Sequence, residues 1–444
     1  MAGYKRVHQR YDNKLAVRRC FYRKAGYWPL EKVKKYQLER LKYLAKYAYA
    51  NVPYYRRLFD NIHLSPKDIQ TYDDWKKIPL LTKEDVRNAG KDLISREYKL
   101  NDLIVSSTGG SSGIPLVVYH DHEAMAKIYA SFWEYHRPGV EPQDSYATFQ
   151  GLLIIPPTQR GGPYWRMNKA MNQRLYSIFH MTQDTIRDYI EDLDRFKPVY
   201  LSGYSNSLYL LAKLAQESRI IPRHIPKAVF TTSEQLFRYQ REVIQEVFRT
   251  KVWDAYSQDE TCGSISEYEC GYYHYDSMYG YMEFFDINHQ YSNSRHLAEI
   301  VCTGFFNKAW PLLRYRIGDL VEYENVDICP KCGRIGPVIH EIQGRTRDMI
   351  LTPSGRHIPS VSGVWGKLHG IRQMQIIQEN IAQIIINYVP AADFRPSIDE
   401  KILRDSFLDF LGEPIECLII KVNEITKTPA GKYVNIISKI GRIS

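Results

Sequence analysis

Leu103-Ile104-Val105-Ser106-Ser107-Thr108-Gly109-Gly110-Ser111-Ser112-Gly113-Ile114-Pro115-Leu116-Val117-Val118-Tyr119 is the stretch on which the fold of this chain turns. Two apolar, β-branched runs flank a turn built of glycines and hydroxyl side chains. Glycine lets backbone N–H groups come close to an anion, and hydroxyls add donors around it, so residues 107–113 form a candidate phosphate loop. The plain alternative is a Gly/Ser linker, but a linker has no reason to sit between two strands. No Gly-Lys-Ser/Thr follows, and the next element reads as strand, which excludes a Walker-type P-loop.

Outward from this loop, helical segments alternate with short apolar runs at residues 151–155, 199–202, 228–231 and 252–255. That alternation predicts an α/β sheet. A richer β stretch follows at 279–285 and 298–303, and predicts a β subdomain at about 262–340. Further on, strands at 374–377 and 384–388 alternate with a helix near 402–411, the pattern of a small α+β domain. The expected division is a large N-terminal domain at 1–346 and a small C-terminal domain at 347–444. Such a division suits 444 residues, because single cores stop growing near roughly 250 to 300 residues.

Hydrophobic residues at 44% and charged residues at 25% are those of an ordinary soluble protein with little disorder. The net charge of +10 draws heavily on a basic helical segment at 1–60, including Arg10, Arg18, Arg19, Arg23 and Lys34. That segment suits an anionic membrane surface, a polyanion or simply water; no nucleic-acid module motif accompanies it, so no nucleic-acid partner is expected. The opening MAGYKRVHQR lacks a signal-peptide core, and no window approaches 18 apolar residues. A cytoplasmic protein without a membrane span is expected, with peripheral membrane contact through the basic segment left open.

Seven cysteines is an odd number, which fits a reducing compartment better than a disulfide framework. Cys270-x3-His274 and Cys329-Pro-Lys-Cys332 offer four soft or borderline ligands, a set that satisfies a tetrahedral zinc ion. With no position left for water, such a site is structural; the alternative is two unrelated pairs of groups. Gly109-Gly110-Ser111-Ser112-Gly113 has the Gly-x-Ser-x-Gly spacing, but a strand reads after it where a nucleophile elbow needs a helix, and no Gly-x-Gly-x-x-Gly turn is present, so serine hydrolysis and dinucleotide binding find no support.

The 106–115 loop is similar to the Ser/Thr/Gly-rich loop of adenylate-forming enzymes, with Ile114 in place of the usual lysine. Five more segments resemble that superfamily in order, and within it the phenylacetate-CoA ligases. They are Thr232-Ser233-Glu234, Asp254-Ala255-Tyr256-Ser257-Gln258-Asp259-Glu260, Tyr315-Arg316-Ile317-Gly318-Asp319, Gly344-Arg345-Thr346-Arg347-Asp348 and Lys427-Thr428-Pro429-Ala430-Gly431-Lys432. The Cys/His set resembles that of CapK-type relatives of these ligases, which serve capsular polysaccharide biosynthesis.

The resemblance implies a large adenylate-forming domain with a β subdomain and a C-terminal lid. It implies that Ser233 and Glu234 pack on adenine, that the Tyr256 ring stacks on it, and that Ser257, Gln258 and Asp259 belong to the same nucleotide motif. Glu260 would help hold Mg2+, Asp319 would accept both ribose hydroxyls, and Arg345 would contact the nucleotide near a hinge at Arg347. Lys432 would neutralise charge as the adenylate forms. The implied activity is ATP-dependent activation of a carboxylic acid, then transfer to CoA. An amine or hydroxyl acceptor, such as a sugar or polysaccharide precursor, is the second expectation. Segments 131–136 and 202–205 lie where relatives line the acid pocket, or are packing aromatics. A scaffold that kept the fold without catalysis is the third, motivated by Ile114 and by Ser257 and Asp259 in place of glycine and threonine.

Overall fold

The computed structural model describes residues 7, 10–108, 116–156, 158–290, 295–345, 349–358, 361, 364, 368, 370–428 and 431–440. Gly109, Gly110, Ser111, Ser112 and Gly113 lie outside the described residues, as do Thr346, Arg347 and Asp348.

The chain opens with three helices, α1 (Leu15–Ala25), α2 (Leu30–Asn51) and α3 (Pro53–Asn61). Val33, Gln37, Leu41, Leu44, Ala45 and Ala48 recur at helical spacing and make the buried face of α2. Pro53 stops α2 and begins α3, where a missing N–H costs nothing. Arg18, Arg19, Arg23 and Lys34 of this basic segment pair with Asp12, Glu141, Glu134 and Asp327. Helix α4 (Lys83–Ala89) starts at Thr82, which forms a capping box with Asp85. The candidate phosphate loop joins β1 (Ile104–Ser107) to β2 (Val117–His120), an antiparallel pair in which Ser107 faces Val117. Helix α5 (His122–Tyr135) follows, capped by Asp121.

The next segment carries β3 (Tyr146–Gln150), β4 (Trp165–Asn168), β5 (Gln173–Ser177), α6 (Ile186–Phe196), β6 (Tyr200–Tyr204), α7 (Ser205–Glu217), β7 (Ala228–Thr232), α8 (Arg238–Phe248) and β8 (Val252–Trp253). The sheet order is β4-β5-β3-β6-β7-β8, parallel apart from β4. One strand sits earlier than the sequence predicts. Buried Ala147, Thr148 and Phe149 belong to β3, whereas the apolar run at 151–155 has left the sheet and exposes Leu152 and Leu153. In an open parallel sheet, ligands bind at the carboxyl ends of the strands. For β6 and β7 those ends are Tyr204 and Thr232.

Strands β9 (Ala255–Ser257), β10 (Ser264–Glu267), β11 (Tyr273–Tyr275), β12 (Gly280–Gln290), β13 (His296–Gly304), β14 (Tyr315–Glu324) and β15 (Val338–Arg345) form a sheet in the order β12-β13-β14-β15-β11-β10-β9. The apolar run at 252–255 therefore divides at Asp254, whose carboxylate accepts a hydrogen bond from Thr231 at 2.5 Å. Finally β16 (Ile350–Leu351), β17 (His357–Ile358), β18 (Ile371–Asn380), β19 (Gln383–Pro390), α9 (Pro396–Leu411), β20 (Glu416–Lys421) and β21 (Ile436–Ser438) complete the chain. Their sheet runs β20-β19-β18-β21 over a core of Ile376, Ile384, Ile386, Leu403, Phe407 and Leu411.

Residues 1–141 and 255–342 form one compact unit, and 142–254 with 343–444 form the other. The first has an apolar core that includes Leu41, Tyr55, Trp75, Ile300 and Trp310. No described helix is long and apolar enough to cross a membrane. The fold is the mixed α/β architecture expected from the sequence.

Candidate active site and metal centre

In the first unit, two pairs of residues from two distant motifs meet. The Tyr256 hydroxyl donates to the Asp319 carboxylate at 2.6 Å, and the Tyr315 hydroxyl donates to Glu260 at 3.1 Å. Asp319 is aimed by a bulge: β13 residues 299 and 301 face β14 residues 320 and 316, and Gly318 takes φ +84° inside the extra span. Only glycine enters that region without strain, which gives the Arg-x-Gly-Asp spacing its reason. Arg316 pairs with Glu299 at 2.8 Å, which ties β14 to β13.

Glu260 is buried, and burial pushes its carboxyl above the ordinary range. Its own backbone amide and the Lys83 charge oppose the rise, whereas the Asp319 charge adds to it. Burial, with the Asp319 charge, holds the Tyr256 phenol far above its usual value, so it remains a donor. Ser257 and Asp259 are exposed, and the Gln258 amide faces the backbone N–H and C=O of Gly263.

Sequence reasoning missed His120 and Asn307, which shape the turn carrying Glu260. His120, at the end of β2, lies 3.4 Å from Thr261 Oγ1 and 3.3 Å from Asn307 Nδ2. Burial lowers its pKa to about 4, so the imidazole is neutral at ordinary pH. The available signal was the polar residue that closes the apolar run before Asp121. Below the candidate phosphate loop, Thr108 Oγ1 accepts from Leu116 N at 3.0 Å and Thr108 N donates to Leu116 O at 2.9 Å. Thr108 thereby closes the loop, and Ser107 is exposed beside it.

Residues 131–136 belong to the same unit and take part in packing. Trp133 Nε1 donates to Tyr11, the Tyr135 hydroxyl to Tyr22 O, and His136 meets Ser264 at 2.7 Å.

In the second unit, β7 ends at a turn in which Ser233 is exposed and adopts φ +68°. Glu234 accepts hydrogen bonds from Asn206 N and Nδ2, each at 3.1 Å, and from Tyr433 N at 2.9 Å. Burial raises its carboxyl pKa, against the pull of those donors and of Lys432. Ser205 donates to Glu234 O at 3.1 Å, and Lys432 Nζ lies 5.5 Å from the Tyr204 ring centre. Tyr204 belongs to the 202–205 segment expected from the sequence, whereas Asn206 is a further residue that no motif singled out. Arg345 ends β15, and its side chain is outside the described set.

The four metal-ligand candidates lie in the first unit. Cys270 sits in the turn between β10 and β11, His274 in β11, and Cys329 and Cys332 in the connection from β14 to β15. Their ligand atoms all lie within 4.8 Å of one another. His274 Nε2 is 3.6 Å from Cys270 Sγ and 3.4 Å from Cys332 Sγ. A tetrahedron with zinc–sulfur arms of about 2.3 Å has edges of about 3.8 Å, so the donor set and its spacing fit zinc. The turn between the paired cysteines is closed by Gly333 N donating to Cys329 O at 3.0 Å and Cys329 N donating to Arg334 O at 2.7 Å. Burial draws His274 down to about 4, which keeps it in the neutral form that ligates.

The CapK C-terminal domain family matches residues 350–439. Protein CapK of Staphylococcus aureus is 28% identical over 402 residues, covering 89% of this chain and 87% of that protein. A phenylacetate-coenzyme A ligase of Thermus thermophilus is 27% identical over 340 residues, 73% of this chain and 72% of the relative. The chain is a homologue of CapK and of the phenylacetate-CoA ligases. Among solved structures, 2-hydroxyisobutyryl-CoA ligase in its postadenylation state superposes with a TM-score of 0.71 at 18% identity, over 93% of this chain and 91% of that one. The fold is therefore that of the adenylate-forming CoA ligases, and the phenylacetate-CoA ligase homologues indicate an AMP-forming ligase.

Proposed function

We propose that this chain is an AMP-forming ligase that activates a carboxylic acid as its acyl-adenylate with Mg-ATP and then transfers the acyl group to CoA. The observation that carries this is the bonding of Tyr256 to Asp319 and of Tyr315 to Glu260, which joins two distant motifs in one unit. In an enzyme of this class the Asp319 carboxylate accepts from the ribose diol, with the Tyr256 ring held against the base. Ser233 and the backbone beside it line the adenine, Arg345 contacts the nucleotide, and the 107–113 loop meets the phosphates. Glu260 is the candidate Mg2+ ligand, and the ion when bound would neutralise phosphate charge. The substrate carboxylate attacks the α-phosphorus and pyrophosphate leaves. Lys432 stabilises the charge shared between carboxylate and phosphate. Residues 347–444 act as the lid that delivers this lysine and later withdraws it.

Cys270, His274, Cys329 and Cys332 would hold a structural zinc ion that pins β11 to the β14–β15 connection. With four protein ligands and no open position, it would take no part in the chemistry.

CapK covers more of this chain than the phenylacetate-CoA ligase does, which favours a second acceptor class: an amine or hydroxyl group on a surface-polysaccharide precursor. Pyrophosphate exchange over a panel of carboxylic acids tests the shared first step, and adding CoA separates the acceptors. Exchange with at least one acid, lost in Lys432→Ala, is expected. A protein that binds ATP and exchanges with no acid would defeat the proposal.

A further inference from the structure

Thr428, Gly431 and Lys432 are bonded to one another in a turn. Thr428 N donates to Lys432 O at 2.8 Å, Gly431 N to Thr428 O at 2.8 Å, and Lys432 N to Thr428 Oγ1 at 3.1 Å. Whatever fixes one residue of such a turn fixes its neighbours. Three contacts within the second unit do so. Lys427 Nζ donates to Ile178 O at 2.8 Å, Gly431 packs against Gly151, and Tyr433 N donates to Glu234 at 2.9 Å.

The last contact falls one residue from Lys432 and ends on a carboxylate that is itself immobilised. The other Glu234 oxygen takes the Asn206 N–H from the first turn of α7, where the helix dipole favours a negative group, together with the Asn206 side-chain amide. Asn206 in turn accepts from Gln240 at 2.8 Å, and buried Gln240 accepts from Phe237 N at 3.1 Å at the start of α8. Three N–H groups thus converge on Glu234, and the chain behind them is anchored at the beginnings of two helices.

We propose that Glu234 is a positioning residue: it clasps the terminal turn through the Tyr433 amide and so presents Lys432, instead of contacting the nucleotide itself. What Lys432 does once presented rests on the ligase proposal; the clasp itself does not. Charge-assisted hydrogen bonds to backbone N–H groups are stronger than neutral ones, which suits a contact that has to hold a whole turn. Lys427 secures the opposite side of the turn, so the two contacts act together.

The test uses the full chain in four forms: wild type, Glu234→Ala, Lys432→Ala and the double variant. Hydrogen exchange of the peptide containing Tyr433 reads the clasp directly, and it is expected to speed up in Glu234→Ala. Pyrophosphate exchange is expected to fall about 10- to 100-fold in Glu234→Ala, the loss typical of one hydrogen bond to a charged group. In the Lys432→Ala background the same change is expected to cost less than about two-fold, because a residue acting through Lys432 has nothing left to position. Equal losses in both backgrounds would assign Glu234 a direct contact and overturn the proposal, as would unchanged hydrogen exchange at Tyr433. Should Glu234→Ala fail to fold, Lys427→Met takes its place with the same expectations. If the wild type exchanges pyrophosphate with no acid, the ligase proposal fails, and the hydrogen-exchange comparison still decides the clasp.

Discussion

Gly431→Ala probes the docking of the terminal turn with a single methyl group. Gly431 adopts φ +75°, and a Cβ there would lie 2.7 Å from Gly151 Cα, 3.0 Å from Ile178 Cδ1 and 3.2 Å from Phe179 Cζ. The first neighbour is backbone and cannot swing aside. Two penalties add: about 1 kcal/mol for an L-residue in the left-handed region, and about 1–3 kcal/mol for overpacking. The turn can avoid both by leaving its seat. Some 2–4 kcal/mol against docking corresponds to a fall of roughly 30- to 900-fold in the docked population, less whatever reserve the docked state holds. The variant should therefore keep nearly wild-type global stability, show fast hydrogen exchange across 424–439, and lose pyrophosphate exchange. Gly355→Ala is the control: at φ +85° it has nothing within 4 Å of the added Cβ, so it bears only the conformational penalty. If Gly431→Ala matches Gly355→Ala in both assays, close docking of the turn is not what sets activity.

Glu260→Gln is expected to stabilise the ligand-free protein near pH 7 while lowering Mg-dependent activity. Burial raises the Glu260 carboxyl in the folded state, so the folded form binds the extra proton and stability falls as pH rises from the unfolded to the folded pKa; thermal denaturation across pH 4 to 8 should show that slope flattened in the variant. Cys329→Ser is expected to lower zinc from about one ion per chain, read by elemental analysis, and to lower thermal stability; full zinc at unchanged stability would refute the ligand set. Tyr256→Phe keeps the ring but removes the 2.6 Å bond to Asp319, and should raise the KM for ATP by about ten-fold or more with a smaller change in kcat. Ser233→Gly relieves φ +68° in an exposed residue and should stabilise the protein by about 1 kcal/mol, checked by denaturant unfolding.

What could be seen in the sequence was whatever depends on local chemistry. The helical character of residues 1–60 and the strands at 279–285 and 298–303 announce themselves within a few residues, and α1 to α3, β12 and β13 lie there. The cysteine and histidine spacings worked for a related reason: a Cys-x-x-Cys turn brings its two sulfurs together by local geometry, leaving one long-range meeting to guess. The strand displaced from 151–155 to Tyr146–Gln150 shows the opposite case. Both stretches are apolar enough to pair, and the parallel register with β5 and β6 selects the earlier one. Asn206 was invisible, and His120 nearly so, because each acts on a turn distant in sequence through hydrogen bonds that leave no periodicity behind.

Glu234 and Glu260 look alike in sequence, each a glutamate after a strand end and a polar turn, and burial raises the pKa of both. Their surroundings separate them. Glu234 meets three N–H donors, which compensate a buried negative charge where it stands. At Glu260 burial and the like charge of Asp319 disfavour ionisation, against its own backbone amide, the Lys83 charge and the Tyr315 phenol. Removing a carboxylate that holds three N–H groups leaves donors stranded, whereas two neighbouring acids of like charge gain from a cation. The first arrangement is what a structural clasp requires. The second is an arrangement in which the proposed Mg2+ would offset like charges, which supports placing it beside Glu260 and not at the turn after β7.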